Sequence, residues 1–167
     1  MPSLYEITVP VFSRTLRNLD HLLAKAADSG IDEQSLFDAR LASDMLPLSK
    51  QVQIACDTAK LAVTRIAQTE PRPMADEETS IDELRDRIAR TIGYLEEADP
   101  AAFTGREAAE ITVKFPNAEM VFTGQSLVTD FSLPNFFFHV TTAYGLLRMK
   151  GVQIGKMDYL AGGRAAS

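Results

Sequence analysis

Basic residues are in deficit. Seventeen Lys and Arg stand against 23 Asp and Glu, a formal net charge of −6, so the chain lacks the basic footprint that a phosphate backbone selects, and nucleic acid is not an expected partner. Cysteine is nearly absent: Cys56 alone cannot close an intrachain disulfide. The opening MPSLYEITVP has neither the charged start nor the long apolar stretch of a secretory signal, so the cytoplasm is the expected compartment. No long hydrophobic run occurs. Even LPNFFFHVTTAYGLL is interrupted by Pro134, Asn135, His139 and two threonines, and no membrane contact is expected. Neither GxGxxG nor a Walker-type glycine loop is present, which leaves a nucleotide-binding fold without support. Two histidines and one cysteine supply at most three ligands, one short of a closed structural zinc site.

What the chain does have is helical periodicity. Its 167 residues, 46% hydrophobic and 24% charged, have the composition of a globular domain able to bury roughly two-thirds of its unfolded surface. One domain over residues 1–160 and a flexible tail over 161–167 are expected. Tyr5, Val9, Phe12, Leu16, Leu19, Leu23 and Ala26 recur at steps of three and four, predicting an amphipathic helix over about 3–28. Pro10 requires either a kink in it or a start near residue 10. Arg14, Arg17, Asn18, His21 and Lys25 fall on its other side and are expected in solvent. Asp32 is a candidate N-cap for a short helix through Leu41. A second long helix follows over about 47–68, its stripe rich in alanine. Residues 69–79 carry Pro71, Pro73 and the acidic run Asp76–Glu78, and read as a solvated connection. Ser80 and Glu83 form a capping-box pattern ahead of a third helix that stops at Asp99 and Pro100. Ile111, Val113 and Phe115, then Met120 and Phe122, alternate as in a small antiparallel hairpin. A fourth helix runs from Gln125 to about Lys150. Four long helices with one sizeable crossover and an inserted hairpin predict an all-α four-helix bundle.

The reactive inventory is small. His139 lies among Phe136, Phe137, Phe138, Val140 and Tyr144 on a helix apolar nearly all round, so it is expected to be buried. Asn135, Thr142 and Leu146 share a face with it, and Pro134 leaves the Asp130 carbonyl without its helical partner beside them, a place where a pocket can open. A buried imidazole is either a core histidine satisfied by a neighbour or a ligand or general base. On the second long helix Gln53, Asp57, Lys60 and Thr64 form a polar line. Asp57 either meets His139 across the bundle or faces solvent beside Lys60. Cys56 reads as a small core residue, and Ser126 and Ser132 lack the surroundings of a hydrolase nucleophile.

Three segments, SLYEITVPVFSRTLRNLDHLLAKA, ARLASDMLPLSKQVQIACDTAK and FSLPNFFFHVTTAYGLLRMKGVQIGKMDYL, resemble in that order an uncharacterised bacterial family of domain-of-unknown-function proteins. That family is grouped with the DinB/YfiT-like four-helix bundles. DMLPLSKQVQ and LPNFFFHVTTAY are the most specific stretches. The resemblance implies the same bundle, with a small β-hairpin inserted before the last long helix. The wider superfamily includes metal proteins and thiol-dependent transferases whose metal is held by one histidine on the second helix and an HxxxH pair on the fourth. If His139 matches the first of that pair, the second position is Ala143, and the second helix offers Gln53 or Asp57 in place of histidine. A divalent metal such as Zn or Ni would therefore need a mixed site of His139 with Asp57 or Gln53. The expectation is a degenerate bundle that binds a small ligand beside His139 through Gln53, Asn135, Thr142 and Tyr144. The alternative is a metal- or thiol-dependent transferase or hydrolase with His139 as ligand or base and Asp57 as ligand or orienting acid. A homodimer through the aromatic segment FSLPNFFFHVTTAY is also expected.

Overall fold

Pro10 decides where the first helix begins. It has no amide hydrogen to give Glu6, and in the computed structural model, which describes residues 2–163, helix α1 spans Val9–Ala27 with Pro10 in its first turn. The residues before it form turns closed by the Ile7 amide on Ser3 and the Val9 amide on Tyr5. A late start, not a kink, resolves the proline. Helix α2 (Glu33–Phe37) is capped by Asp32, whose carboxylate accepts from the Ser35 amide. Helix α3 spans Leu48–Ala67 and α4 spans Ile81–Glu96. Ser80 caps α4 through the Glu83 amide, whereas the Glu83 carboxylate reaches one residue further back, to the Thr79 amide.

A hairpin of β1 (Glu110–Phe115) and β2 (Ala118–Thr123) follows, with Ile111 opposite Phe122 and Val113 opposite Met120. Gly124 opens the next helix because nothing larger fits: a Cβ there would lie 2.0 Å from the Arg106 carbonyl oxygen. The short helix α5 (Gly124–Ser126) continues through a π-helical stretch, Leu127–Ser132, into α6 (Leu133–Met149), and α7 (Lys156–Ala161) closes the described chain.

Side-chain pairs across the seams give the helix directions. Asp57 pairs with Arg87 and Thr64 with Tyr94, both at an offset of 30 residues, so α3 and α4 run parallel. Gln51 meets His139 while Thr58 meets Asn135, so α3 and α6 are antiparallel. Arg17 with Glu96 and Asp20 with Arg85 make α1 and α4 antiparallel as well. Phe12 of α1 and Phe136 of α6 close the ring edge to face at 4.8 Å. Between the helices lie Leu16, Leu19, Leu23, Val52, Ala59, Leu84, Ile88, Val140 and Leu147, all buried. The alanines of α3 let its neighbours approach closely. Phe137 and Phe138 point outward instead and are exposed.

Parallel neighbours need a return connection. From the end of α3 back to the level of Gln51 is about 24 Å at 1.5 Å per residue, and residues 68–80 can span roughly 43 Å when extended. Most of this strap is exposed, Asp76 and Glu77 included, as its composition suggests, but it is tied down at several points. Arg87, whose side chain is fully buried, donates to the Ala75 carbonyl at 3.0 Å and contacts Asp76 at 3.0 Å and Glu78 at 3.1 Å, while forking onto both Asp57 oxygens at 3.0 Å. Lys60 donates to the Arg72 carbonyl, Lys50 pairs with Asp76, and Gln53 donates to Glu78. The Glu78 side chain is thereby only 5% exposed.

On the polar side of α1, Arg14 and Arg17 are exposed as expected, whereas α7 packs across Asn18, His21 and Lys25. Asn18 donates to the Tyr159 and Leu160 carbonyls, and His21 and Lys25 both reach Asp158. At Gly162, φ is +57° and a Cβ would sit 2.5 Å from Asn18 Oδ1, so a side chain there would prise α7 off α1. Of the tail expected over 161–167, residues 164–167 lie outside the described residues.

Two outcomes are expected. Arg87→Ala leaves three carboxylates facing an empty cation site and should cost about 3–5 kcal/mol. Arg87→Lys should recover only part, because an ammonium cannot reproduce the forked contact. Urea unfolding of the two variants measures both, and an Arg87→Ala loss below 1 kcal/mol, on the order of a surface pair, would show the strap to be held some other way. The second concerns Asp158, whose carboxyl is lowered from 3.8 to about 2, first by the His21 hydrogen bond, then by the Gly155 amide and Lys25. Its contribution is complete above the ordinary value and is lost as pH falls from 3.8 towards 2. Asp158→Asn at neutral pH should accelerate amide exchange in residues 156–161 while the long helices keep their protection, and the wild type should loosen there only within that acid window.

Candidate functional site

On α6 the buried positions are Phe136, His139, Val140, Ala143, Leu146 and Leu147, a stripe at helical spacing that turns the imidazole into the seam with α3. The Gln51 amide fixes its state. Gln51 Nε2 donates to the Leu46 carbonyl at 2.9 Å, which leaves Oε1 facing the histidine, so His139 Nδ1 carries the hydrogen and donates across 2.7 Å. Nε2 keeps its lone pair. Burial lowers the His139 pKa from 6.5, so the ring is neutral at neutral pH. The partner is Gln51, and neither Gln53 nor Asp57.

Gln51 and Asp57 are six residues apart on α3, about 120° around its axis, so the face that meets His139 is not the face that carries Asp57. That carboxylate is held by Arg87 at 3.0 Å and by Lys60 at 3.4 Å. The open alternative at Asp57 is thus decided for Lys60, with a buried arginine added that the sequence line did not include. Gln53 belongs to the same strap contacts. Thr142 returns its hydroxyl to the Phe138 carbonyl at 2.7 Å, and Tyr144 stacks edge to face on Tyr159 at 5.8 Å, towards α7. Cys56 is fully buried and desolvation lifts its thiol to about 12, so it stays protonated and unreactive.

Pro134 lies beside a cleft that gathers two of the expected residues. With no amide to offer the Asp130 carbonyl, the helix widens into the π-helical stretch just before the proline. Beside that stretch, between α3, the hairpin and the start of α6, lies a cleft of about 320 Å³. Asp57 and Asn135 both line it, and Asn135 donates its amide to Thr58 at 2.8 Å. Phe115 and Phe131, edge to face at 5.6 Å, form its apolar wall. His139 stands one helical turn beyond Asn135 and does not line it.

The donor set does not fit a metal. His139 Nε2 is one nitrogen ligand, its neighbour Gln51 is committed to Nδ1, and Asp57 is neutralised by two cations on another face. Among the described residues no group of three or more His, Cys, Asp or Glu is placed to hold an ion. Nothing here completes the three-histidine arrangement of the wider superfamily.

The lowered His139 pKa has a measurable consequence. Below 6.5 the unfolded chain binds a proton that the folded chain refuses, so this contribution to stability is full above 6.5 and is lost as pH falls through the folded value. Urea midpoints between pH 7.5 and 5.5 should therefore fall more steeply for the wild type than for His139→Gln. Equal slopes would mean that the ring is protonated as readily inside as outside.

Residues 4–160 match the family model described as a domain of unknown function, DUF1993. A crystal structure of a DinB family member protein from Shewanella denitrificans is similar at a TM-score of 0.84 and 41% sequence identity, over 98% of this chain and 94% of that one. No curated protein matches the sequence at a significant level. No helix among the described residues is long and apolar enough to cross a membrane. The architecture is the DinB-like four-helix bundle with a two-stranded hairpin before its last long helix, and the chain belongs to the DUF1993 family of such bundles.

Proposed function

We propose that this protein binds a small organic molecule in the cleft between α3, the hairpin and the start of α6, and that it does so without the metal used elsewhere in the superfamily. The observation that carries this reading is the cleft itself. At about 320 Å³ it lies at the lower end of the range of small-molecule sites, roughly 300–1,000 Å³, and like them it combines an apolar wall with a few polar groups. Asp57, Thr58 and Asn135 supply the polar groups, and Phe115 and Phe131 the wall. The reading through metal or thiol chemistry would need Asp57 beside His139, and the two side chains are engaged with different partners on different faces of α3.

Elemental analysis of protein purified without an affinity tag should give far less than one metal per chain, unchanged in His139→Ala. A thermal-shift screen of small aromatic and aliphatic metabolites should find saturable stabilisation that is lost in Leu61→Trp, which narrows the cleft mouth. Metal near one per chain that disappears in His139→Ala would overturn the proposal in favour of a mixed-ligand metal centre.

A further inference from the structure

Arginines that this bundle removes from solvent are otherwise paired. Arg85 holds Asp20, Arg87 holds Asp57, Asp76 and Glu78, and Arg106 donates to the Ile66 carbonyl. Arg65 is the exception. It lies on the last turns of α3, half-buried, and lines the cleft, yet no carboxylate and no hydrogen-bond acceptor among the described residues takes its guanidinium. Desolvation acts on it with no compensating contact. A guanidinium keeps its proton in such a place, so the fold carries an uncompensated cost that an incoming anion would offset.

The rest of the cleft agrees with an anionic occupant. Asp57 is the acid among its lining residues, and it is already held by Arg87 and Lys60. Lys114 also lines the cleft on the hairpin side, but it is exposed and paired with Glu119 at 3.4 Å, which leaves Arg65 as the unpaired cation of the lining. Ser132, 1% exposed and on the same wall, has a hydroxyl with no hydrogen-bond partner among the described residues. Leu61, Phe115 and Phe131 add apolar surface to the lining.

We propose that the cleft takes a small amphipathic organic anion, with Arg65 binding its carboxylate or sulfonate-like group, Ser132 donating to it, and Phe115 and Phe131 packing on an aromatic or branched hydrocarbon body. This rests on the reading of the cleft as a ligand site. It adds the class of ligand and the residue that selects its charge.

Two fluorescent probes with one aromatic body separate these claims: 8-anilinonaphthalene-1-sulfonate carries the anion, and N-phenyl-1-naphthylamine lacks it. Both are titrated into the full chain, and amide shifts in two-dimensional NMR locate them. The expected result is that the sulfonate binds with shifts at Leu61, Arg65, Phe131 and Ser132. Arg65→Gln should weaken it about tenfold, the scale of one lost charge-assisted contact, while changing N-phenyl-1-naphthylamine less than twofold. Arg65→Lys should recover part of the loss and show that the Gln variant has not simply unfolded. If both probes occupy the cleft and Arg65→Gln weakens neither selectively, the anion assignment is overturned and the ligand site stands. If shifts fall at Phe137 and Phe138, or no saturable binding occurs, the ligand site itself is overturned.

Discussion

A single buried guanidinium decides the topology. Two consecutive helices joined by a short turn come out antiparallel, and α3 and α4 are parallel because the chain between them travels back along the bundle before α4 begins. That strap has prolines and acids but almost no apolar side chains to bury, so hydrophobic burial alone gives it little reason to stay. Arg87 supplies the reason. The donors on its two terminal nitrogens let one side chain satisfy a strap carbonyl, two strap carboxylates and Asp57 of α3 together, while Nε has no partner among the described residues. The penalty for burying such a charge is offset only while all these partners are present. The cluster therefore behaves as one unit, and Asp57 is bound into structure before it can serve chemistry.

Proline at position 134 exerts the second constraint, and it acts on the site. A helix that loses a hydrogen bond in its interior must kink, break or rewind, and here it rewinds as a π-helical stretch over Leu127–Ser132. Widening the turn displaces Phe131 and Ser132 relative to an ideal helix at the point where the hairpin folds over α3. The cleft forms at that junction. Asn135 then ties α6 to α3 through Thr58, and one turn later His139 repeats the tie through Gln51. Both polar pairs are satisfied within the seam, so the helices stay locked on either side of an opening whose own polar groups are not all satisfied.

The fold was largely legible in the sequence because its signals are local. Alternating steps of three and four, the Asp32 and Ser80 caps, the period of two in the hairpin and the stop at Gly151 each act within a few residues, and each element appears within about two residues of its expected place, apart from the first helix, whose start Pro10 left open, and the short second one, which stops at Phe37 rather than reaching Leu41. What was not legible depends on pairs far apart in the chain. Asp57 and Arg87 are 30 residues apart, His21 and Asp158 are 137 apart, and His139 and Gln51 are 88 apart. No periodicity encodes which polar residue meets which. Gln51 could have been found from the heptad spacing that places it with Thr58 on one stripe of α3, but a glutamine carries no chemical signature comparable with the neighbouring aspartate. Arg87 sits on a helix rich in charge, where a basic residue reads as surface. Asn18, His21 and Lys25 of α1 were assigned to solvent because the helix was read without α7, whose six residues are too few to announce a packing partner.

A bundle without the three-histidine set does not have a damaged core. A metal site stripped of two ligands would leave a buried imidazole and vacant polar positions, each costly unless paired. Here the position one turn past His139 is Ala143, fully buried among apolar neighbours, and the imidazole itself is paired through Nδ1 with an amide that is oriented in turn by a backbone carbonyl. The seam at that end is complete without an ion. An unmet valence lies instead about 21 Å further along α3, the rise over the fourteen residues from Gln51 to Arg65. The cation there is half-buried with no partner among the described residues, beside a wall of phenylalanine. Polar groups that a fold leaves unpaired in a concave place are the ones available to a ligand, and by that criterion the Arg65 end of the seam, rather than the histidine, is where we place the proposed recognition chemistry of this bundle.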